Sequence, residues 1–338
     1  MMKHILIFLT ALLLLSGCKP QNEAEVERWP EIEPFETGYM KVSDIHELYY
    51  ELSGNPEGIP VFVLHGGPGG SSSPEMRRYF NPGKYFIVMH DQRGAGKSRP
   101  YAEIKENTTQ HLVEDIEQLR KKVGADSLLL FGGSWGSTLA LAYAEAYPEH
   151  ISGMILRGIW TCTDAEIDHF YHGAVRKFYP EDYDIFVHSL PHPDSLPRPD
   201  YMYQLIKNND DETVGQYSDI WTRYEWVISD LDVDREMVRN WLAANDTRAF
   251  ALIENYYMAN QCFFTEKQLW ENIGRIRHIP AIIINGRFDM PCPPITAYRL
   301  HKVMDNSELI IVEKEGHFGK GIEQALVEAA ITFENGKD

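Results

Sequence analysis

The sequence predicts an α/β protein: a mostly parallel sheet with helices on both faces, interrupted by one inserted helical domain. Three observations carry that prediction. Short apolar runs alternate with helical patterns at both ends of the chain, an order that lays parallel strands beneath covering helices. Between them, from about residue 160 to 270, the chain is aromatic, acidic and helical, without a convincing strand. A glycine-flanked serine, Gly132-Gly133-Ser134-Trp135-Gly136, sits where one apolar run passes into an Ala/Leu-rich helical segment. The 338 residues, 43% hydrophobic and 12% aromatic, suit one large core carrying an insertion. A formal net charge of -18, with no basic stripe, argues against nucleic-acid binding and reads mainly as solubility.

The first residues do not belong to the fold. Lys3 supplies a short positive region, and an apolar run from Ile5 to Leu15 follows, broken only by Thr10. That run is too short to span a bilayer, so residues 1–17 read as a secretion signal. Its ending, Leu15-Ser16-Gly17-Cys18, resembles a bacterial lipobox, which implies cleavage before Cys18 and lipidation of its thiol. Residues 18–37 are rich in glutamate and read as a solvated tether. The expected location is the bacterial cell envelope, facing the periplasm or exterior and held by the Cys18 lipid. Lys19 points to an outer membrane where one exists. With Cys18 modified, Cys162, Cys262 and Cys292 remain, so at least one thiol is free in an exported protein. Whether Cys162 and Cys262 pair stays open. No Cys/His spacing suggests a metal site.

From Gly38 the core begins, and it is expected to comprise residues 38–159 and 271–338 around a cap at 160–270. Gly38 to Ser43 and His46 to Ser53 alternate polar and apolar residues, as an opening antiparallel pair does. Pro60 to Leu64 is a buried strand running into His65-Gly66-Gly67-Pro68-Gly69-Gly70, and Lys84 to Met89 another, followed by Asp91-Gln92-Arg93-Gly94-Ala95-Gly96. Thr108 to Val123 is amphipathic, with Leu112, Ile116, Leu119 and Val123 on one face. Leu128 to Phe131 and Gly153 to Leu156 are further strands. Alternation resumes at Ile279 to Ile284 and Glu308 to Val312, and a final helix covers Gly321 to Phe333.

Strand, tight turn and helix form the setting in which G-x-S-x-G reads as a nucleophile elbow. A serine forced into so sharp a turn needs neighbours without side chains, which Gly132 and Gly136 supply. The bland alternative is a Gly/Ser turn that merely joins strand to helix. On this architecture a serine's partners follow in the order Asp, His, at the ends of later strands. Asp289, in Asn285-Gly286-Arg287-Phe288-Asp289, and His317, in Glu315-Gly316-His317, occupy those places. Asp91 and His65 are rivals but precede Ser134; they read as a turn former and a loop packer. The Gly66–Gly70 run has the wrong spacing for a nucleotide loop and is interrupted by Pro68. It reads as half of an oxyanion hole, the Gly67 amide facing that of Trp135.

Taken together, HGGPGG at His65, DQRGAGKS at Asp91, GGSWGSTLALAY at Gly132, LRGI at Leu156, IENYY at Ile253 and GRFD at Gly286 resemble the prolyl iminopeptidase family of the α/β-hydrolase superfamily. The resemblance runs from about Gly38 to His317. It implies the α/β-hydrolase fold with a helical cap, removal of N-terminal proline from peptides, and no metal or cofactor. It also implies amine-binding roles for Glu225, ending Trp221-Thr222-Arg223-Tyr224-Glu225, and for Glu254 in Ile253-Glu254-Asn255. Two carboxylates suit a pyrrolidinium, which carries one charge and two N–H donors. Trp160, after LRGI, matches an aromatic position of the family's proline pocket, and Phe170 and Tyr171 fall near the next; core packing is the alternative for all three. The chain departs from the family at Ala95, where many relatives have cysteine, at Lys97, and at Glu315-Gly316-His317-Phe318, where relatives usually have Ala-Gly-His-Ser. Rival readings are an esterase or C–C bond hydrolase on the same fold, and a surface binding lipoprotein without turnover. Peptides beginning with proline are the expected partners, and a monomer the expected state.

Overall fold

In the computed structural model, residues 27–192, 198–208 and 210–336 are described. The expected signal, Cys18 and the first part of the tether lie outside the described residues. In chain order the strands are β1 (Glu36–Lys41), β2 (Glu47–Gly54), β3 (Ile59–Leu64), β4 (Tyr85–His90), β5 (Leu128–Gly133), β6 (Ile151–Arg157), β7 (Ala281–Gly286) and β8 (Ser307–Val312). Among the described residues these form one sheet in the order β1-β2-β4-β3-β5-β6-β7-β8. The β1–β2 and β2–β4 pairs are antiparallel, and every other pair is parallel. β3, β4, β5 and β7 read as continuous apolar runs because both of their faces are covered.

Side chains of period two divide the core. Phe62, Leu64, Leu128 and Leu130 face one layer; Val61, Val63, Leu129 and Phe131 face the other. The first layer is closed by α2 (Thr109–Val123), α3 (Trp135–Ala146) and α12 (Pro294–Val303). The second is closed by α13 (Lys320–Glu334) and by residues in and after α1 (Pro74–Arg77), notably Met76, Tyr79 and Phe80. The α2 helix has the ends its sequence announces. Thr108 caps the start by accepting the His111 amide, and Gly124, at φ 71°, ends it in the left-handed region.

Between β6 and β7 the described chain is wholly helical: α4 (Asp164–Tyr171), α5 (Val175–Phe178), α6 (Pro180–His188), α7 (Pro199–Lys207), α8 (Asp211–Ser229), α9 (Arg235–Ala244), α10 (Arg248–Ala259) and α11 (Gln268–Asn272). Its interior is aromatic, with Phe186 stacked on Tyr224 at 4.5 Å and Tyr171 on Trp221 at 5.1 Å. One device ties this segment to the rest of the core and another ties its ends together. Buried Glu166 accepts the Thr161 and Thr163 amides and hydroxyls and the Thr296 hydroxyl, tying the exit of β6 and α4 to α12. Cys162 and Cys262 form a disulfide that joins the two ends of the helical segment, leaving Cys292 as a buried free thiol.

The tether needs correcting. Its later residues are docked on the core. The Trp29 amide donates to the Arg78 carbonyl, the Arg77 guanidinium donates to the Ile32 carbonyl, and Phe35 stacks on Phe86. Charge suggested solvation, but Trp29, Ile32 and Phe35 bring enough apolar surface and backbone pairing to hold the segment down. Among the described residues no helix is long and apolar enough to cross a membrane.

Candidate active site

Ser134 stands at the end of β5, at φ 58° and ψ -129°, and α3 begins at the next residue. This is a strained conformation for a residue with a side chain. The flanking glycines are there for space. A Cβ on Gly132 would lie 2.2 Å from the Gly136 carbonyl oxygen, and one on Gly136 would lie 2.1 Å from the Leu64 carbonyl oxygen. The turn is pinned by the Ser134 amide donating to the Arg157 carbonyl and by the Ser137 hydroxyl donating to the Ser134 carbonyl.

Asp289 and His317 follow β7 and β8, and the structure brings them together: Nδ1 of His317 lies 2.8 Å from Oδ2 of Asp289, both side chains buried. The other Asp289 oxygen accepts the Cys292 amide at 2.8 Å, while Asn285, at the end of β7, holds the loop through the Cys292 carbonyl. His317 is fixed at its backbone as well, its amide donating to the Ser229 carbonyl and its carbonyl accepting from Arg157. Burial lowers the His317 pKa, the Asp289 charge raises it, and the Arg157 charge adds to the lowering. The net shift is downward, which keeps the imidazole neutral and basic near pH 7.

Gly67, Ser134 and Trp135 border one small cavity. The Trp135 amide belongs to the first turn of α3, where backbone donors have no carbonyl partner within the helix and the dipole favours negative charge. The Trp135 indole is anchored by donating to Gln92 Oε1, and Gln92 in turn holds His65 through its amide and side chain. Asp91 accepts the Ser72 amide and hydroxyl and the Lys97 amide. His65 and Asp91 therefore build the loops beside the serine.

The same cavity is lined by Glu225 of α8, Glu254 of α10, Trp160 and Phe170, and also by Met258, Pro291 and Cys292. Trp221 donates its indole N–H to Glu254 Oε2 at 2.7 Å. Glu254 is buried, close enough to Glu225 for the two acids to perturb each other. Burial raises both carboxyls, Glu225 to about 7, and the neighbouring Glu225 charge lifts Glu254 further. Oε2 of Glu225 is buried without a hydrogen-bond partner. Tyr171 stands apart. It borders a neighbouring cleft, not this cavity, and donates its hydroxyl to Asn255 Oδ1 while stacking on Trp221. Its place is behind the pocket wall.

Comparison with known proteins fits this geometry. Residues 59–321 match the model of the alpha/beta hydrolase fold. A probable proline iminopeptidase of Leptolyngbya boryana is 42% identical over 90% of this chain and 96% of its own. Proline iminopeptidases of Arabidopsis thaliana and Neisseria gonorrhoeae are 44% and 40% identical, each over 88% of this chain and over 80% and 96% of theirs. The chain belongs to the proline iminopeptidase family. Solved structures share the fold at low identity. An esterase from Exiguobacterium antarcticum superposes at a TM-score of 0.61 with 20% identity, over 88% of this chain and 98% of its own. A bromoperoxidase from Bacillus anthracis superposes at 0.60 with 20% identity, over 90% and 100%.

Within this family framework, three cavity residues escape the sequence reading: Met258, Pro291 and Cys292. Met258 carries a usable signal, since it lies one helical turn beyond Glu254 on the same face of α10. Cys292 carries none. Its Sγ is 4.0 Å from Ser134 Oγ, its amide bonds to Asp289, and burial pushes its thiol well above the usual range. Of the family departures, Ala95 is buried in its loop and Lys97 lies over the Tyr49 ring at 4.4 Å, while Phe318 remains half-exposed beside His317.

Proposed function

We propose that this chain is a serine aminopeptidase that releases proline from the N-terminus of peptides. One observation supports the reading most: two neighbouring carboxyls border the cavity that holds Ser134, and one of their buried oxygens lacks a partner. An unsatisfied buried acceptor is costly, and a cation with two N–H donors satisfies it. The curated relatives named above are proline iminopeptidases, and the ammonium of an N-terminal proline is such a cation.

The chemistry runs as follows. Ser134 Oγ attacks the carbonyl carbon of residue one while His317 Nε2 takes its proton, and Asp289 holds the imidazolium through Nδ1. The amides of Gly67 and Trp135 receive the oxyanion. Collapse breaks the C–N bond, and the proton on His317 passes to the leaving amine. Water, deprotonated by His317, then attacks the prolyl ester, freeing proline and restoring Ser134. Glu225 and Glu254 hold the free amine, which restricts cleavage to the first bond because an internal residue has no ammonium.

The test separates the amine readers from the triad. Glu225→Gln and Glu254→Gln should each lower kcat/KM for Pro-naphthylamide by about 30- to 1,000-fold, the loss of a charged hydrogen bond worth about 2–4 kcal/mol. A simple acetyl or propionyl ester should be hydrolysed almost as before. Equal losses on both substrates would make the glutamates structural and put the esterase reading ahead.

We also propose that the protein is exported and held in the cell envelope by a lipid on Cys18. The leader pattern supports this, and so does the Cys162–Cys262 disulfide, since such bonds persist in oxidising compartments.

A further inference from the structure

We propose that Phe318 selects the second residue of the substrate, favouring a large apolar side chain there. This inference rests on the aminopeptidase reading above and adds a subsite to it. Phe318 is 52% exposed, unusual for a phenylalanine next to a buried histidine. Its ring meets the His317 ring edge to face, with centroids 4.9 Å apart at 80°. Arg157 lies 4.9 Å from the ring centre, and its guanidinium also donates to the His317 carbonyl at 2.8 Å. The ring is therefore held by two neighbours while half its surface faces solvent.

Chemistry decides what passes this surface. The leaving amine must come within about 3 Å of His317 Nε2 to collect its proton. Its own Cα follows at about 1.5 Å, so the side chain of residue two emerges within reach of a ring that already touches the imidazole. Two other apolar side chains border the same turn. Leu231, 46% exposed, packs close to Gly316, and Phe288, 47% exposed, donates its amide to the Glu315 carbonyl. Three exposed apolar residues from three different loops thus converge on Glu315–Phe318. Singly exposed apolar residues are ordinary; three that border the turn carrying His317 offer an apolar surface to a passing side chain.

The experiment compares Pro-Phe-amide with Pro-Gly-amide. The parent should prefer the first, and Phe318→Ser should shrink the ratio of their kcat/KM values by about 3- to 10-fold, the range measured for an aromatic contact. Phe318→Trp should keep the preference. Both peptides yield the same prolyl-enzyme, so the effect belongs to acylation. Equal losses on both peptides, or a slower breakdown of the prolyl-enzyme in step with them, would show that Phe318 only supports His317, and would overturn the inference. A parent without any preference would overturn it too. Failure of the parent to cleave either peptide would sink the aminopeptidase reading together with it.

Discussion

The carboxyl pair makes a prediction about protons. Burial disfavours the Glu225 charge and pushes its carboxyl up to about 7, and burial and the neighbouring Glu225 charge hold Glu254 well above the usual carboxylate range. A bound pyrrolidinium stabilises the Glu225 charge, so below about pH 7 its arrival should release a proton. Affinity for a prolyl ligand should therefore rise with pH up to about 7 and level off where Glu225 is already ionised. Calorimetry in two buffers of different ionisation enthalpy counts the proton, and Glu225→Gln should reduce the count. For folding the sign is reversed. A carboxyl whose folded value is raised binds more protons folded than unfolded, so stability falls as pH rises from the ordinary glutamate range to about 7. At the other end of the cavity, Ser134→Ala should cost on the order of 10⁴-fold in kcat with the fold intact. Residual activity of a tenth would remove Ser134 from the nucleophile's role. For a simple ester, which does not call on Glu225, the acid limb of kcat/KM should fall below the ordinary histidine range, since burial lowers His317.

Among the elements, the β5–α3 elbow leaves no room for side chains at Gly132 and Gly136. Gly136→Ala places a methyl group 2.1 Å from the Leu64 carbonyl oxygen, and backbone cannot move aside as a side chain can. Loss of about 2–3 kcal/mol in urea unfolding, together with activity, is the expected outcome. The disulfide acts on a larger loop. Replacing Cys162 and Cys262 by serine frees a loop spanning a sequence separation of 100, which on chain-entropy grounds lowers stability by up to about 4–5 kcal/mol. Denaturant titration of the double variant measures it. These elements also show what a sequence makes legible. The parallel strands and the elbow are written locally, as apolar runs such as Val61–Leu64 and as glycines at fixed offsets from Ser134. Asp289 and His317 are found through strand order. Glu225 and Glu254 need a family motif, because an isolated glutamate carries no mark of burial. The supporting roles of Arg157, Asn285 and Cys292 are silent in sequence, since they are set by bonds across the fold to the His317 carbonyl, the Asp289 loop and the Asp289 carboxylate. Trp29 and Ile32 are misread for a related reason: a glutamate-rich stretch hides the few contacts that dock it.

For the whole molecule, the described residues account for a sheet, its covering helices and an enclosed site, and the leader adds an address. Cys18→Ser should release the protein from the membrane fraction or stall its processing. Unchanged fractionation, with no diacylglyceryl mass on the N-terminal peptide, would refute the lipid anchor. Within the folded body, α10 is pressed against the loop that carries Gly67. A Cβ on Gly69 would lie 2.7 Å from the Ala249 carbonyl oxygen and 2.9 Å from Ile253 Cβ, and Ile253 immediately precedes Glu254. Backbone meets helix there with nothing soft between them. On the aminopeptidase reading, the site is a gauge of fixed length. It spans the single carbon that separates an α-amine from its carbonyl. A β-homoproline anilide inserts one more methylene, so it can seat its amine or its carbonyl but not both, and it should be cleaved at least about 100-fold more slowly than the proline anilide.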